Sequence, residues 1–169
     1  MSLRVRYGGP NCSERQCKYG IDPLYTDDTT ARVTHTTVRI ESSASNTLSG
    51  SYALIFYDIH GEDYRTEPLV VSPTGVLNAV QHCTSVVAAL TSLPNGVVPS
   101  VECSQSAINV DFGVEYTLIF KGNPGKLKEL EIDEYLDGAR STILTSSGSY
   151  SADVYTKVLG EQVDYFPTK

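Results

Sequence analysis

Hydrophobic and polar positions alternate with a period of two along most of the chain and change to a helical period once. "TVRIES" alternates as a short strand, and "GSYALIFYDIHGEDYRTEPLVV" sets two β-rich runs around a polar, Gly-containing loop, the pattern of a hairpin. In "TGVLNAVQHCTSVVAALTSLP", Val76, Val80, Cys83, Val87 and Leu90 recur at steps of four, three, four and three, which predicts an amphipathic helix over about 73–93. Beyond the Pro94-Asn95-Gly96 turn, "SVECS", "VEYTLIFKG", "LKELEID", "STILTSS" and "SADVYTKVL" read as further strands. The pattern predicts a mostly β (α+β) fold: an antiparallel β-sandwich-like domain with one helix between two strand groups.

The two strand groups echo each other. "YALIFYD" at 52–58 and "YTLIFKG" at 116–122 share Tyr-x-Leu-Ile-Phe. A sheet half repeated about the helix would bury both apolar faces, but any two central strands rich in Tyr, Leu, Ile and Phe look alike, so both readings stand. Ahead of the first strand, "LYTDDTTARVTHTT" is rich in Thr and Asp and poor in apolar residues, and is read as a linker or covering segment over 24–37. Residues 1–23 then form a separate junction, and the β-rich domain occupies 38–169.

With 169 residues the chain is long enough to bury a sizeable core. Thirteen Lys and Arg against twenty Asp and Glu leave a net charge of −7, which argues against nucleic acid, whose binding depends on clustered basic residues. No apolar run approaches bilayer-spanning length, so membrane insertion is not expected. "MSLRVRYGG" lacks the apolar stretch of a secretion signal, and a secreted form is expected to carry its signal upstream.

Four cysteines are compatible with two disulfides. Cys83 lies on the apolar stripe of the helix and Cys103 on a strand twenty residues later, so a helix-to-strand bridge is sterically reasonable; the alternative is two buried thiols. Cys12 and Cys17, in "CSERQCKYGIDP", have an allowed zinc spacing but no second tightly spaced ligand pair, and they lack the Cys-x-x-Cys of a redox site. A local Cys12–Cys17 disulfide, or a bond from either to a cysteine elsewhere in a longer chain, is the expectation. Asn11-Cys12-Ser13 matches the glycosylation pattern at Asn11.

Several polar stretches invite chemistry. Asp58, Glu62 and Asp63 in "YDIHGEDY", with His60 among them, offer carboxylate oxygen ligands for calcium, although the Asp-x-Asp-x-Asp-Gly order is missing and a solvated hairpin tip is the simpler reading. Asp133, Glu134 and Asp137 in "IDEYLD" form a second acidic cluster that could serve as a second cation edge or as half of a carboxylate pair for sugar chemistry, a polar exposed face being the better reading. The histidines His35, His60 and His82 are scattered. Neither "SGSY" stretch supplies the Gly-x-Ser-x-Gly of a serine hydrolase, and "GNPG" at 122–125 is a turn rather than a phosphate loop. Enzyme chemistry is left without residues, so the chain is expected to be non-enzymatic. The eleven tyrosines suit half-buried strands and also contact surfaces.

"YGGPNCSERQCKYGIDP" resembles the end of an EGF-like module, with Tyr7, Gly9 and Cys12, running into a Cys-Ser-x-Arg-x-Cys-Pro-x-Gly-x-Asp-Pro junction found in large secreted proteins of algae and oomycetes. There the junction leads into a β-rich repeat. The corresponding residues here are Gly50, Tyr52, Leu54 and Phe56; Ala89, Leu90, Leu93 and Pro94; Val101, Cys103 and Ser104; Gly113, Tyr116, Thr117, Leu118 and Phe120; and Gly125, Leu127 and Leu130. Lys18 departs from the pattern's proline, and Glu41-Ser42-Ser43 stands where a further cysteine is usual. The resemblance implies an extracellular or cell-surface structural or adhesive module, with mastigoneme-type flagellar hair proteins among its homes. It implies assembly with neighbouring modules of the same chain or with like subunits, and no catalytic residues or cofactor. A glycan- or calcium-binding module of a secreted protein is the alternative.

Overall fold

The computed structural model describes residues 33–42, 48–58, 60–71, 79–105 and 113–160, together with the pairs Tyr7–Gly8 and Glu14–Arg15. The chain divides into two compact units, one of Met1–Asp28 with Val163–Lys169, the other of Thr29–Gln162. In the first, β1 (Tyr7–Gly8) and β2 (Glu14–Arg15) pair antiparallel, Tyr7 opposite Arg15. Asn11, Cys12 and Cys17 lie outside the described residues.

The second unit is strand-rich with antiparallel sheets and one α-helix among its described residues, the class that the two periods predict. Its strands are β3 (Val33–Ser42), β4 (Leu48–Tyr57), β5 (Asp63–Arg65), β6 (Leu69–Val70), β7 (Glu102–Gln105), β8 (Gly113–Pro124), β9 (Glu131–Asp133), β10 (Ile143–Thr145) and β11 (Tyr150–Val158). The helix α1 spans Ala79–Thr91 and is followed by a 3-10 turn at Pro94–Gly96, where Asn95 takes a left-handed φ of 63°.

One sheet is organised around β4. Ile55 lies opposite both Arg65 and Glu131, so β5 and β9 flank opposite edges of the same strand. β6 continues the β5 edge and β10 the β9 edge: Gly50 O accepts from Val71 N on one side, and Ser51 N donates to Thr142 O on the other. The second sheet has the order β11, β3, β8, β7.

The even-numbered residues of the long strands meet between the sheets. Tyr52, Leu54 and Phe56 of β4, Val38 and Ile40 of β3, and Val114, Tyr116, Leu118 and Phe120 of β8 are all buried in one core. Burial of each such side chain stabilises the fold by roughly 1.5–3 kcal/mol. The shared Tyr-x-Leu-Ile-Phe of β4 and β8 acquires a structural meaning here. Tyr52 Oη lies 2.8 Å from Tyr116 Oη, and the Phe56 and Phe120 ring centroids are 5.6 Å apart, so the two strands face each other in the same direction, one from each sheet. Packing against β6 and β7, which belong to different sheets, α1 closes one side of the sandwich. On the other side β9 approaches β11.

Two expectations change. β3 begins at Val33 rather than near Val38, so residues 33–37, read as the end of a covering segment, are strand. Val33, Thr34, Thr36 and Thr37 are all buried, and Thr34 and Thr37 carry bonded hydroxyls, Thr37 Oγ1 lying 3.0 Å from Thr117 Oγ1. Thr34 Oγ1 donates to Gly125 O at 2.9 Å and accepts from Leu127 N and Gly160 N, both at 3.2 Å, joining three segments that are far apart in the chain. The helix is described from Ala79, residues 73–78 of the predicted span lying outside the described residues, and its buried line is His82, Val86 and Leu90, with Cys83 and Val87 half-buried beside it. A histidine counts as polar in a hydropathy pattern, so the i, i+4, i+8 row that runs through His82 does not stand out from the sequence.

Gly50 shows how closely the sheet and the 134–142 loop approach. Its φ is +95°, and a Cβ there would stand 2.0 Å from Thr142 O, so no side chain fits. Thr142 secures the contact by donating from Oγ1 to Ser51 O at 2.7 Å, while its N–H donates to Glu134 O at 2.6 Å.

Candidate functional site

The two acidic stretches come apart as ligand sets. Asp58 Oδ1 accepts from His60 N at 2.7 Å and from Glu62 N at 2.9 Å, while its own backbone closes the turn with Glu62 O and Gly61 N, each at 3.0 Å. This is an Asx-type hairpin turn, with Gly61 at φ +78°. Glu62 accepts from Tyr64 Oη at 3.2 Å, and Asp63 lies opposite Tyr57 as the first residue of β5. Among the described residues no group of three or more His, Cys, Asp or Glu is placed to hold a metal ion. Asp58→Ala is expected to destabilise the chain by about 1 kcal/mol and Asp58→Asn by less than half of that, because the amide keeps an acceptor oxygen. Urea denaturation with and without calcium checks this; a turn role gives the same losses in both.

Asp133, Glu134 and Asp137 also diverge. Asp133 bonds to Arg65 Nε at 2.9 Å across the outer face of β4 and accepts from Tyr135 N at 2.9 Å. Glu134 accepts from Tyr150 Oη, which also bonds to Ser141 Oγ. Burial, followed by the hydrogen bond to Glu134, raises the Tyr150 phenol above its ordinary pKa. Asp137 is exposed. Next to Tyr150 an open recess of about 330 Å³ is lined by Glu41, Ser42, Ser149, Tyr150 and Ser151. These contacts tie the 134–142 loop to the start of β11.

Cys83 and Cys103 are joined by a disulfide with Cα atoms 5.5 Å apart, which links α1 to β7. Beside it is a polar cluster that the sequence did not single out. His82 Nε2 lies 3.3 Å from Tyr52 Oη, and its ring centroid is 5.3 Å from that of Tyr116. All three side chains are essentially inaccessible. Burial lowers the His82 pKa to about 4 and pushes both phenols far upward. Neutral His82 bonded through Nε2 leaves Nδ1 without a partner. The arrangement is enclosed in the core, out of reach of a substrate.

The accessible candidate is β11. It pairs along one edge with β3, and no described strand lies on its other edge. Tyr150, Ala152 and Val154 pack on the core, while Ser151, Asp153, Tyr155 and Lys157 project outward and are exposed. Val158 and Leu159 extend the exposed apolar surface beyond Tyr155. The ladder with β3 shifts register between Thr156 and Val158, so Lys157 sits at a bulge. Asp153 lies opposite Arg39, whose guanidinium is instead ion-paired to Glu41 and to Glu115, the latter at 3.5 Å, too long or oblique for a hydrogen bond from Nε. The sequence signal for this edge was the alternation in "SADVYTKVL"; its position at the margin of a sheet was not available from that alternation.

Comparison with protein-family models and with curated proteins found no match for the chain.

Proposed function

We propose that this chain is a non-enzymatic structural or adhesive module of an extracellular, cell-surface or filament protein, and that it acts through protein–protein assembly. The observation that carries the reading is the nine-residue strand β11, which bears exposed Tyr155 and has no strand paired along its outer edge among the described residues. A long open edge presents unpaired backbone donors and acceptors to another chain, the physical basis of assembly by strand addition. The Cys83–Cys103 disulfide supports an oxidising location, since such bonds persist outside the cytosol. The resemblance of residues 7–23 to an EGF-like junction supports a place in a larger secreted chain, where neighbouring modules or like subunits are the partners.

The test is antibody-gold electron microscopy of the full-length parent protein on the cell that makes it. Label in rows along surface filaments, or at contact surfaces, is expected. Cytosolic label would overturn the reading, because the disulfide and the assembly role both require the outside of the cell.

A further inference from the structure

The outer edge of β11 carries one acidic and one basic side chain on the same face, Asp153 and Lys157, both exposed and neither in an ion pair of the described residues. Midway between them is exposed Tyr155. A strand with this spacing is complementary to itself when turned end for end. We propose that β11 pairs antiparallel with β11 of a second copy of this chain, about a two-fold axis through Tyr155, so that Asp153 of each copy faces Lys157 of the other.

The register follows from elimination. Continuing a sheet across a two-fold axis keeps faces together, so only registers centred on a residue are allowed. Centring on Asp153 would set two carboxylates opposite each other, which is unfavourable. Centring on Val154 places Asp153 against Tyr155 and Lys157 against Ser151, leaving both charges without a counter-ion. Centring on Thr156 sets Lys157 against Tyr155 and carries Asp153 past the bulge, without a counter-ion. Centring on Tyr155 forms two opposite-charge pairs and stacks the two tyrosines. On the inner face it places Val154 against Thr156. The bulge at Lys157 ends the regular ladder there, so the contact is short and the dimer correspondingly weak. Repetition along a filament would multiply such a contact through effective concentration.

This inference rests on the assembly reading above and names the partner as a like subunit. Sedimentation velocity on the full 169-residue chain tests it. The wild type is expected to pass from monomer to dimer as concentration rises through the micromolar range, less readily in high salt because the ion pairs are exposed. Asp153→Lys and Lys157→Asp each act twice in a symmetric contact and are expected to weaken dimerisation about tenfold. Two further samples are specific to this register: an equimolar mixture of the two single variants, and the double variant D153K with K157D, each of which restores both charge pairs and the dimer. A monomeric wild type at all concentrations, or single variants that dimerise as well as wild type, would overturn it. Surface rows of label combined with a monomeric wild type would remove the like-subunit contact while leaving the assembly reading in place.

Discussion

Replacing both Cys83 and Cys103 by serine lowers the stability of this chain by about 3 kcal/mol, measured as the shift in urea unfolding free energy of the oxidised protein. The bond closes a segment of 20 residues, and the restriction it places on the unfolded chain is worth about that much for a loop of this length. Its position adds a structural reason. α1 covers the side of the sandwich through His82, Val86 and Leu90, and the disulfide is the covalent tie between the helix and β7. Reduction of the wild type should produce the same loss as the double substitution, and should have no further effect on the substituted protein. An unchanged unfolding free energy in the double variant would mean that packing of the helix alone positions it.

The second large effect comes from acid. His82 is neutral in the folded core with a pKa near 4, whereas an unfolded histidine titrates near 6.5. Between these values the unfolded chain binds the extra proton, so stability rises with pH. The contribution of neutral burial is fully present above about pH 6.5 and is lost as the pH falls toward 4. Lowering the pH from 7 to 4.5 is therefore expected to remove about 2 kcal/mol through this residue. His82→Leu is expected to abolish most of that dependence, at the cost of the contact with Tyr52, which retains Tyr116 as its partner. Denaturation midpoints of the two proteins at both pH values check it; parallel losses in wild type and variant would show that other groups drive the acid sensitivity. Cys83 adjoins His82 on the helix, so acid and reduction act on the same seam.

Part of the candidate site is legible in the sequence. "SADVYTKVL" alternates clearly enough to separate Asp153, Tyr155 and Lys157 from Ala152 and Val154, and the structure keeps that division. The helix-to-strand relation of Cys83 and Cys103 also follows from one residue lying on an apolar stripe and the other on a strand. By contrast, "DIHGED" gave no indication that Asp58 would spend its carboxylate on two backbone N–H groups, because an Asx turn and a cation ligand use the same residue type. Residues 33–37 misled for a similar reason: Val-Thr-His-Thr-Thr is polar by composition, but threonine hydroxyls that find partners can be buried without penalty.

The sequence by itself determined the strand class, the approximate strand segments and the single switch to a helical period, because periodicity is a local property of the side chains. It also determined which residues of β4 and β8 share a face, and hence that Tyr, Leu and Phe would be the buried set. Only the tertiary structure decided that these two strands lie in opposite sheets with Tyr52 against Tyr116 and Phe56 against Phe120. It alone decided that His82 belongs to the core and that β11 ends a sheet with an edge left open among the described residues. Strand partners are chosen by contacts between segments tens of residues apart, and each strand's alternation is the same whether it lies at the centre of a sheet or at its margin.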